Sequence, residues 1–174
     1  METLTKEKTT IKLNAKAEKQ RKQYLNFFLF NLFLIIKLPA AFFCGLNIRK
    51  LDVNNCEVTL PYGWRSQNPF NSIYFASQAM AAEMSTGALA LLAIENASAN
   101  VGMLVVKIEG GFTKKADKLT TFTCTEGEKV FAAVNKAIET GEGVPVTMES
   151  VGTMPDGIEV ARFLITWSFK KKKA

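Results

Sequence analysis

The stretch from about Ile73 to Ala93 limits the possible folds more than any other part of the chain. It reads as one helix in which Ala76, Ala79, Met80, Met84, Gly87, Leu89 and Leu92 leave no polar stripe. A helix that is apolar on nearly every side is a buried one. The remaining residues must therefore supply a layer that surrounds it. Within this run Glu83 is the one carboxylate set among small and apolar neighbours. Burying a carboxylate without a partner is costly and favours its protonated form, so its position calls for a reason.

Alternation elsewhere identifies the surrounding layer. In "LNIRKLDVNNCEVTLPY" an Asn54-Asn55 turn separates two short runs, and Cys56, Val58 and Leu60 share one side of the second, which reads as a hairpin. "GWRSQNPFN" is a loop leading into the buried helix. Val101 to Thr113 and Leu119 to Thr125 are rich in Val, Ile, Phe and Thr, and the reading pairs them antiparallel across "KKADK". "EGEKVFAAVNKAIETGEG" predicts a short helix ending in glycines. Val144 to Thr153 and Ile158 to Phe169 flank "MPDG", a second hairpin signal, and Ala161, Phe163, Ile165, Trp167 and Phe169 share the face of a sheet that meets a core. Helix, hairpin, buried helix and mainly antiparallel strands make an α+β chain in which one long helix is wrapped by a curved sheet.

The N-terminal part has a different texture. Residues 1 to 20 are treated as a basic leader, of which 1 to 17 are expected to be loosely ordered, and 21 to 174 as a single domain with an extra N-terminal helix. That helix is predicted over Leu25 to Ile36. Its apolar run is short for a membrane span and is interrupted by Asn26, Asn31 and Lys37, so it is expected to pack on the sheet or to lie on a membrane surface.

The net charge of +6 is concentrated at the ends, in Lys6 to Lys22 and Lys170 to Lys173, and no RNP, zinc-finger or helix-turn-helix pattern accompanies it. A nucleic-acid partner is not expected. Cys44, Cys56 and Cys124 are isolated, which suggests neither a disulfide framework nor a cysteine metal site and fits a reducing cytoplasm, with membrane-peripheral association open. The chain contains no histidine, so Ser-His-Asp triads, Cys-His pairs and His-bound metals are excluded. Acid-base work falls to other side chains, and no cofactor or metal is expected.

"LPAAFF", "NPFNSIYFASQAMAAE" and the late Asp-Gly hairpin resemble the hotdog fold, in which an antiparallel sheet wraps a central helix. The resemblance is to thioesterases of the phenylacetate-pathway and 4-hydroxybenzoyl-CoA branches, and most closely to the DUF4442 group of thioesterase-like proteins, over about Tyr24 to Phe169. Those branches commonly show Asn or Gln, a small residue three positions on, His-Gly-Gly three further on, and an Asp or Glu nine after the His. Here Asn68, Asn71, Tyr74, Phe75, Ala76 and Glu83 occupy that spacing. Tyr74 stands where His is usual, and Phe75 and Ala76 replace the two glycines.

The resemblance implies a substrate that is an acyl-CoA or an acyl-carrier-protein thioester. It places Asn68 near the thioester, makes the backbone N–H of Phe75 the polariser of its carbonyl, and makes Glu83 the general base or nucleophile. Thr86, one turn beyond Glu83, is the expected hydroxyl helper. Lys114, Lys115 and Lys118, and Arg65 beside Trp64, are where related proteins would hold the phosphates of coenzyme A. Tyr74 and Glu83, nine residues apart, are about 13 Å apart along one helix and on opposite faces. The resemblance therefore implies a composite site in a homodimer, or a dimer of dimers, with antiparallel central helices. A dehydratase of this fold would need a His. The alternative from another class is a non-catalytic acyl-chain or acyl-CoA binding protein.

Overall fold

In a computed structural model, residues 11–172 are described. Residues 1–10, which hold the first half of the expected leader, and the last two residues lie outside them. Helices α1 (Ala15–Leu25), α2 (Phe27–Lys37) and α3 (Pro39–Cys44) precede strands β1 (Asn47–Leu51) and β2 (Cys56–Leu60). The long helix α4 (Phe75–Asn96) follows, then β3 (Val101–Phe112), β4 (Thr120–Cys124), α5 (Gly127–Thr140), β5 (Val144–Thr153) and β6 (Glu159–Lys171). The strands form one antiparallel sheet in the order β1-β2-β4-β5-β6-β3, curved around α4. This is the hotdog architecture expected from the sequence.

The core lies between the inner face of the sheet and α4. Val58 and Leu60 of β2, Phe122 of β4, Met148 of β5 and Phe163, Ile165 and Phe169 of β6 are all buried. They meet Ala81, Ala82, Leu89 and Leu92 of α4, so alternation on the strands and all-round apolarity on the helix answer each other. A buried hydroxyl pair, Ser85 Oγ to Ser150 Oγ at 2.8 Å, ties α4 to β5. Helix α5 lies beside α4 against β5 and β6, and ends at Gly141 in the left-handed region at φ 73°.

Two expectations require correction. First, β3 and β4 do not pair with each other: β3 pairs with β6, and β4 lies between β2 and β5. From Val106 onward β3 is exposed on both faces, which only an edge strand tolerates, whereas β4 is buried at every second residue. The connection crosses the fold and is anchored where Ile73 N–H donates to Ala116 O at 2.7 Å. Second, the polar stretch before Leu25 is helical from Ala15. Asn14 caps it, its side-chain oxygen accepting from Ala17 N–H, while its Nδ2 donates to Glu95 O and its backbone N–H donates to Asn96 Oδ1 at the far end of α4. Tertiary contact with α4 thus orders a segment with little apolar signal of its own.

The predicted N-terminal helix is present as α2, set off from α1 by Asn26, which closes one helix and caps the next. Pro39 then opens the short α3. Among the described residues no helix is long and apolar enough to cross a membrane.

Candidate active site

Glu83 projects from the middle of α4 into a small apolar cavity of about 80 Å³. Tyr24, Phe30 and Phe33 of α1 and α2 form one wall, and Met103 of β3 and Trp167 of β6 another. Gly87, one turn further along α4, leaves room for the carboxylate: a Cβ there would lie 3.3 Å from Glu83 Oε1 and 3.2 Å from the Trp167 ring. Among the described residues nothing donates a hydrogen bond to this carboxylate, and burial alone pushes its pKa above the ordinary carboxylate value. An unpaired, partly buried carboxylate of this kind is a candidate base, because it gains a proton more readily than a solvated one.

Thr86 is committed elsewhere. Its hydroxyl donates to the Glu83 carbonyl at 3.0 Å and accepts from Trp167 Nε1 at 3.0 Å, which fixes the indole beside the cavity. It shapes the wall through Trp167.

The N-terminus of α4 opens onto a separate cleft of about 560 Å³. Asn68, Tyr74, Phe75, Gln78, Lys114 and Lys115 are among its lining residues, so five of the residues singled out in the sequence come together there. Tyr74 is the N-cap residue but its side chain caps nothing, which leaves the N–H groups of the first turn without a side-chain acceptor. Free N–H groups at the positive end of a 22-residue helix favour an anionic or developing oxyanionic group. Asn68 Oδ1 is occupied by Phe70 N–H, Ser72 N–H and the Ser72 hydroxyl, which folds the preceding loop and turns Asn68 into its organiser. Gln78 donates through Nε2 to Ile73 O at 3.0 Å, while its buried Oε1 has no partner. Gln78 is a buried lining residue of the cleft that the family spacing does not mark.

The other residues are placed as follows. Lys115 Nζ donates to Phe70 O at 3.1 Å. Lys118 is outside the lining and pairs with Asp156 at 2.7 Å. Arg65 is exposed and lies against Gly45, Asn71 is an exposed turn residue at φ 57°, and Ala76 is half-buried on the outer side of α4. Glu83 and the cleft do not share lining residues within one protomer, as the nine-residue separation requires. The aromatic wall from α1 and α2 had no motif to announce it, although Gly87 four residues after Glu83 was a readable sign of close approach.

Cys44, Cys56 and Cys124 are free and buried. Burial raises Cys124 to about 12 and Cys56 well above the ordinary thiol value, so neither is a candidate nucleophile. Among the described residues no three Cys, Asp or Glu side chains converge to hold a metal ion.

Residues 28–169 match the family described as domain of unknown function DUF4442. The chain belongs to the DUF4442 family. A comparison with curated proteins by sequence found no match. Solved structures give fold relatives of this DUF4442 protein. A Pseudomonas aeruginosa protein of unknown function, described as a probable thioesterase, is 18% identical with a TM-score of 0.68, covering 92% of this chain and 99% of its own. A Chlorobaculum tepidum protein of unknown function is 16% identical with a TM-score of 0.71, covering 90% of this chain and 94% of its own. A Haemophilus influenzae thioesterase is 12% identical with a TM-score of 0.57, covering 84% of this chain and 91% of its own. At these identities the likeness is one of fold: the DUF4442 chain has the hotdog architecture of proteins named as thioesterases.

Proposed function

We propose that this protein hydrolyses an acyl thioester, carried on coenzyme A or an acyl-carrier protein, with Glu83 as the base that activates water or as the nucleophile. The observation that carries the reading is the Glu83 carboxylate, held without a hydrogen-bond donor among apolar side chains beside Gly87 and Trp167. The uncapped N-terminus of α4 supplies the complementary half, N–H groups suited to a thioester oxyanion. Lys114 and Lys115 on the same cleft suit the phosphates of a carrier group.

The proposed active unit is a homodimer, in which the Glu83 cavity of one protomer meets the α4 N-terminus of the other. Two features support it. Among the described residues the outer edge of β3 is unpaired, and Ala76, Ala79 and Met80 form a half-buried stripe on the side of α4 that also carries Glu83. Small residues there allow close helix approach, and an isologous pair would create two equivalent sites.

The second reading, a protein that binds an acyl thioester without cleaving it, is favoured by one observation. Tyr74 and Phe75 are both exposed at the cleft, where the related motif has His and Gly, and their rings meet edge to face at 4.8 Å. Thiol release from a panel of acyl-CoA substrates distinguishes the two. Hydrolysis by the wild type and a loss of about a hundredfold in Glu83→Gln, with the dimer and ligand binding kept, is the expected result. Ligand retention without thiol release would support the binding protein instead, and equal rates in both proteins would remove Glu83 from the chemistry.

A further inference from the structure

Helix α2 is apolar on the side that faces away from the protein. Phe30 and Leu34 point inward and are buried. Phe28, Leu32, Ile35 and Ile36, spaced i, i+4, i+7 and i+8, form the opposite face, and all are exposed, Phe28 at 81% and Ile36 at 64%. Amphipathic spacing normally turns such a row toward a core. Here the core already takes the other side, so the helix has a second apolar face that no other described residue covers. Exposed aromatic surface recurs on α3, where Phe43 meets Trp64 edge to face at 5.6 Å and Trp64 is 74% exposed. Soluble monomers rarely leave so much contiguous apolar surface uncovered.

The charge around this face indicates its occupant. From Lys19 to Leu51 the sequence contains Lys19, Arg21, Lys22, Lys37, Arg49 and Lys50 and no Asp or Glu. Arg21 and Lys22 share Glu18, and Lys50 meets Glu57, but Lys19, Lys37 and Arg49 have no acidic partner among the described residues. A second copy docking here about a two-fold axis would bring like charges together with no acid from the same segment to offset them. An anionic lipid surface supplies the missing charge and an apolar layer together. With 11 residues α2 is about 16 Å long, roughly half the thickness of a hydrocarbon core, so it suits the plane of the interface rather than a crossing. Trp64 and the Phe rings are side chains that favour that depth.

We propose that this protein docks on an anionic lipid bilayer through the outer face of α2, with Phe28, Leu32, Ile35 and Ile36 entering the interface. The inner face of the same helix supplies Phe30 and Phe33 to the cavity of Glu83, so docking sets that cavity directly behind the membrane-facing surface. The proposal is independent of whether Glu83 hydrolyses anything.

The test is flotation of the full chain with vesicles of phosphatidylcholine alone and of phosphatidylcholine mixed with phosphatidylglycerol. The wild type is expected to float with the anionic vesicles, less so at high salt. Phe28→Glu combined with Ile36→Glu is expected to lower that binding about tenfold or more while leaving the circular dichroism spectrum unchanged, because both side chains point outward. Lys37→Glu is expected to weaken the preference for anionic over neutral vesicles. Absence of wild-type flotation, or equal flotation by the folded double variant, overturns the proposal. So does a sedimentation result in which the double variant turns a dimer into a monomer and the wild type ignores vesicles, since the face would then join two copies of this chain.

Discussion

The carboxylate of Glu83 lies over Gly87, 3.3 Å from where a Cβ on that glycine would be. The same Cβ would meet the Trp167 ring at 3.2 Å, so a methyl group here presses on both the candidate base and the cavity wall. Replacing a helical glycine by alanine favours the helix by about 1 kcal/mol, which opposes the crowding. Gly87→Ala is therefore expected to change stability by no more than about 1 kcal/mol and to lower thioester hydrolysis about tenfold through displacement of the carboxylate. Chemical denaturation and a thiol-release assay on the same preparation check the two halves.

The direction of the Glu83 shift sets a pH dependence. Burial raises its folded-state value above the reference of 4.5, so as a base it is active only above that raised value, and hydrolysis should rise with pH through it. For stability the sign is the reverse. The folded chain holds this proton more firmly than the unfolded chain, so the contribution is complete below the unfolded value and is lost as pH rises through the folded one. Wild type relative to Glu83→Gln should thus lose stability across that interval. Denaturation of both proteins as a function of pH measures it, and a constant difference would contradict the buried, unpaired carboxylate.

Ser85 and Ser150 are both fully buried, and their hydroxyls contribute unequally. Ser85 Oγ donates to Ala82 O at 2.8 Å, so Ser150 is the donor in the shared bond. Ser150→Ala leaves Ser85 its carbonyl partner and should cost about 1 kcal/mol, whereas Ser85→Ala strands a buried hydroxyl and should cost about 2 kcal/mol. The double variant should cost less than the two together. A double-mutant cycle by urea denaturation would show additive effects only if the pair were not in contact.

Gly127 has a constraint of a different kind. Its Cβ would fall 1.9 Å from Val53 O and 2.7 Å from Asn54 Cα, both backbone atoms, and its N–H donates to Asn54 O at 3.0 Å. The start of α5 and the β1–β2 turn are in direct main-chain contact. Gly127→Ala should destabilise the protein by about 2 kcal/mol or more, measured as a lower denaturation midpoint at unchanged slope.

Much of this organisation was legible in the residues because burial leaves a period behind. The all-round apolarity of α4 required a wrapping layer, and the alternation of Ala161, Phe163, Ile165, Trp167 and Phe169 assigned one face of β6 to it. Spacing likewise brought Asn68, Tyr74 and Phe75 to one cleft and kept Glu83 apart from it. What could not be read depended on partners distant in sequence. Helix α1 is polar and owes its order to Asn14 reaching Glu95 and Asn96, and β3 looked like the neighbour of β4 because adjacent strands usually pair. Thr86 was expected to serve Glu83, and only the position of Trp167 shows why its hydroxyl is already engaged. Lys118 is recognisable as a loop cation, but its ion pair with Asp156 joins residues from two different turns.

The pairing of β3 with β6 also governs the time course of folding. Val101 opposes Lys171 and Phe112 opposes Ala161, so β3 leaves the ribosome well before the strand it needs. Synthesis at about 5–20 residues per second leaves it waiting for several seconds, with the main-chain N–H and C=O groups that β6 will pair still open. Loop closure over such a separation is slow compared with forming the β1–β2 hairpin, which makes completion of this edge a late event. During that interval the nascent chain is most open to misassembly, and holdase chaperones would have most to shield there.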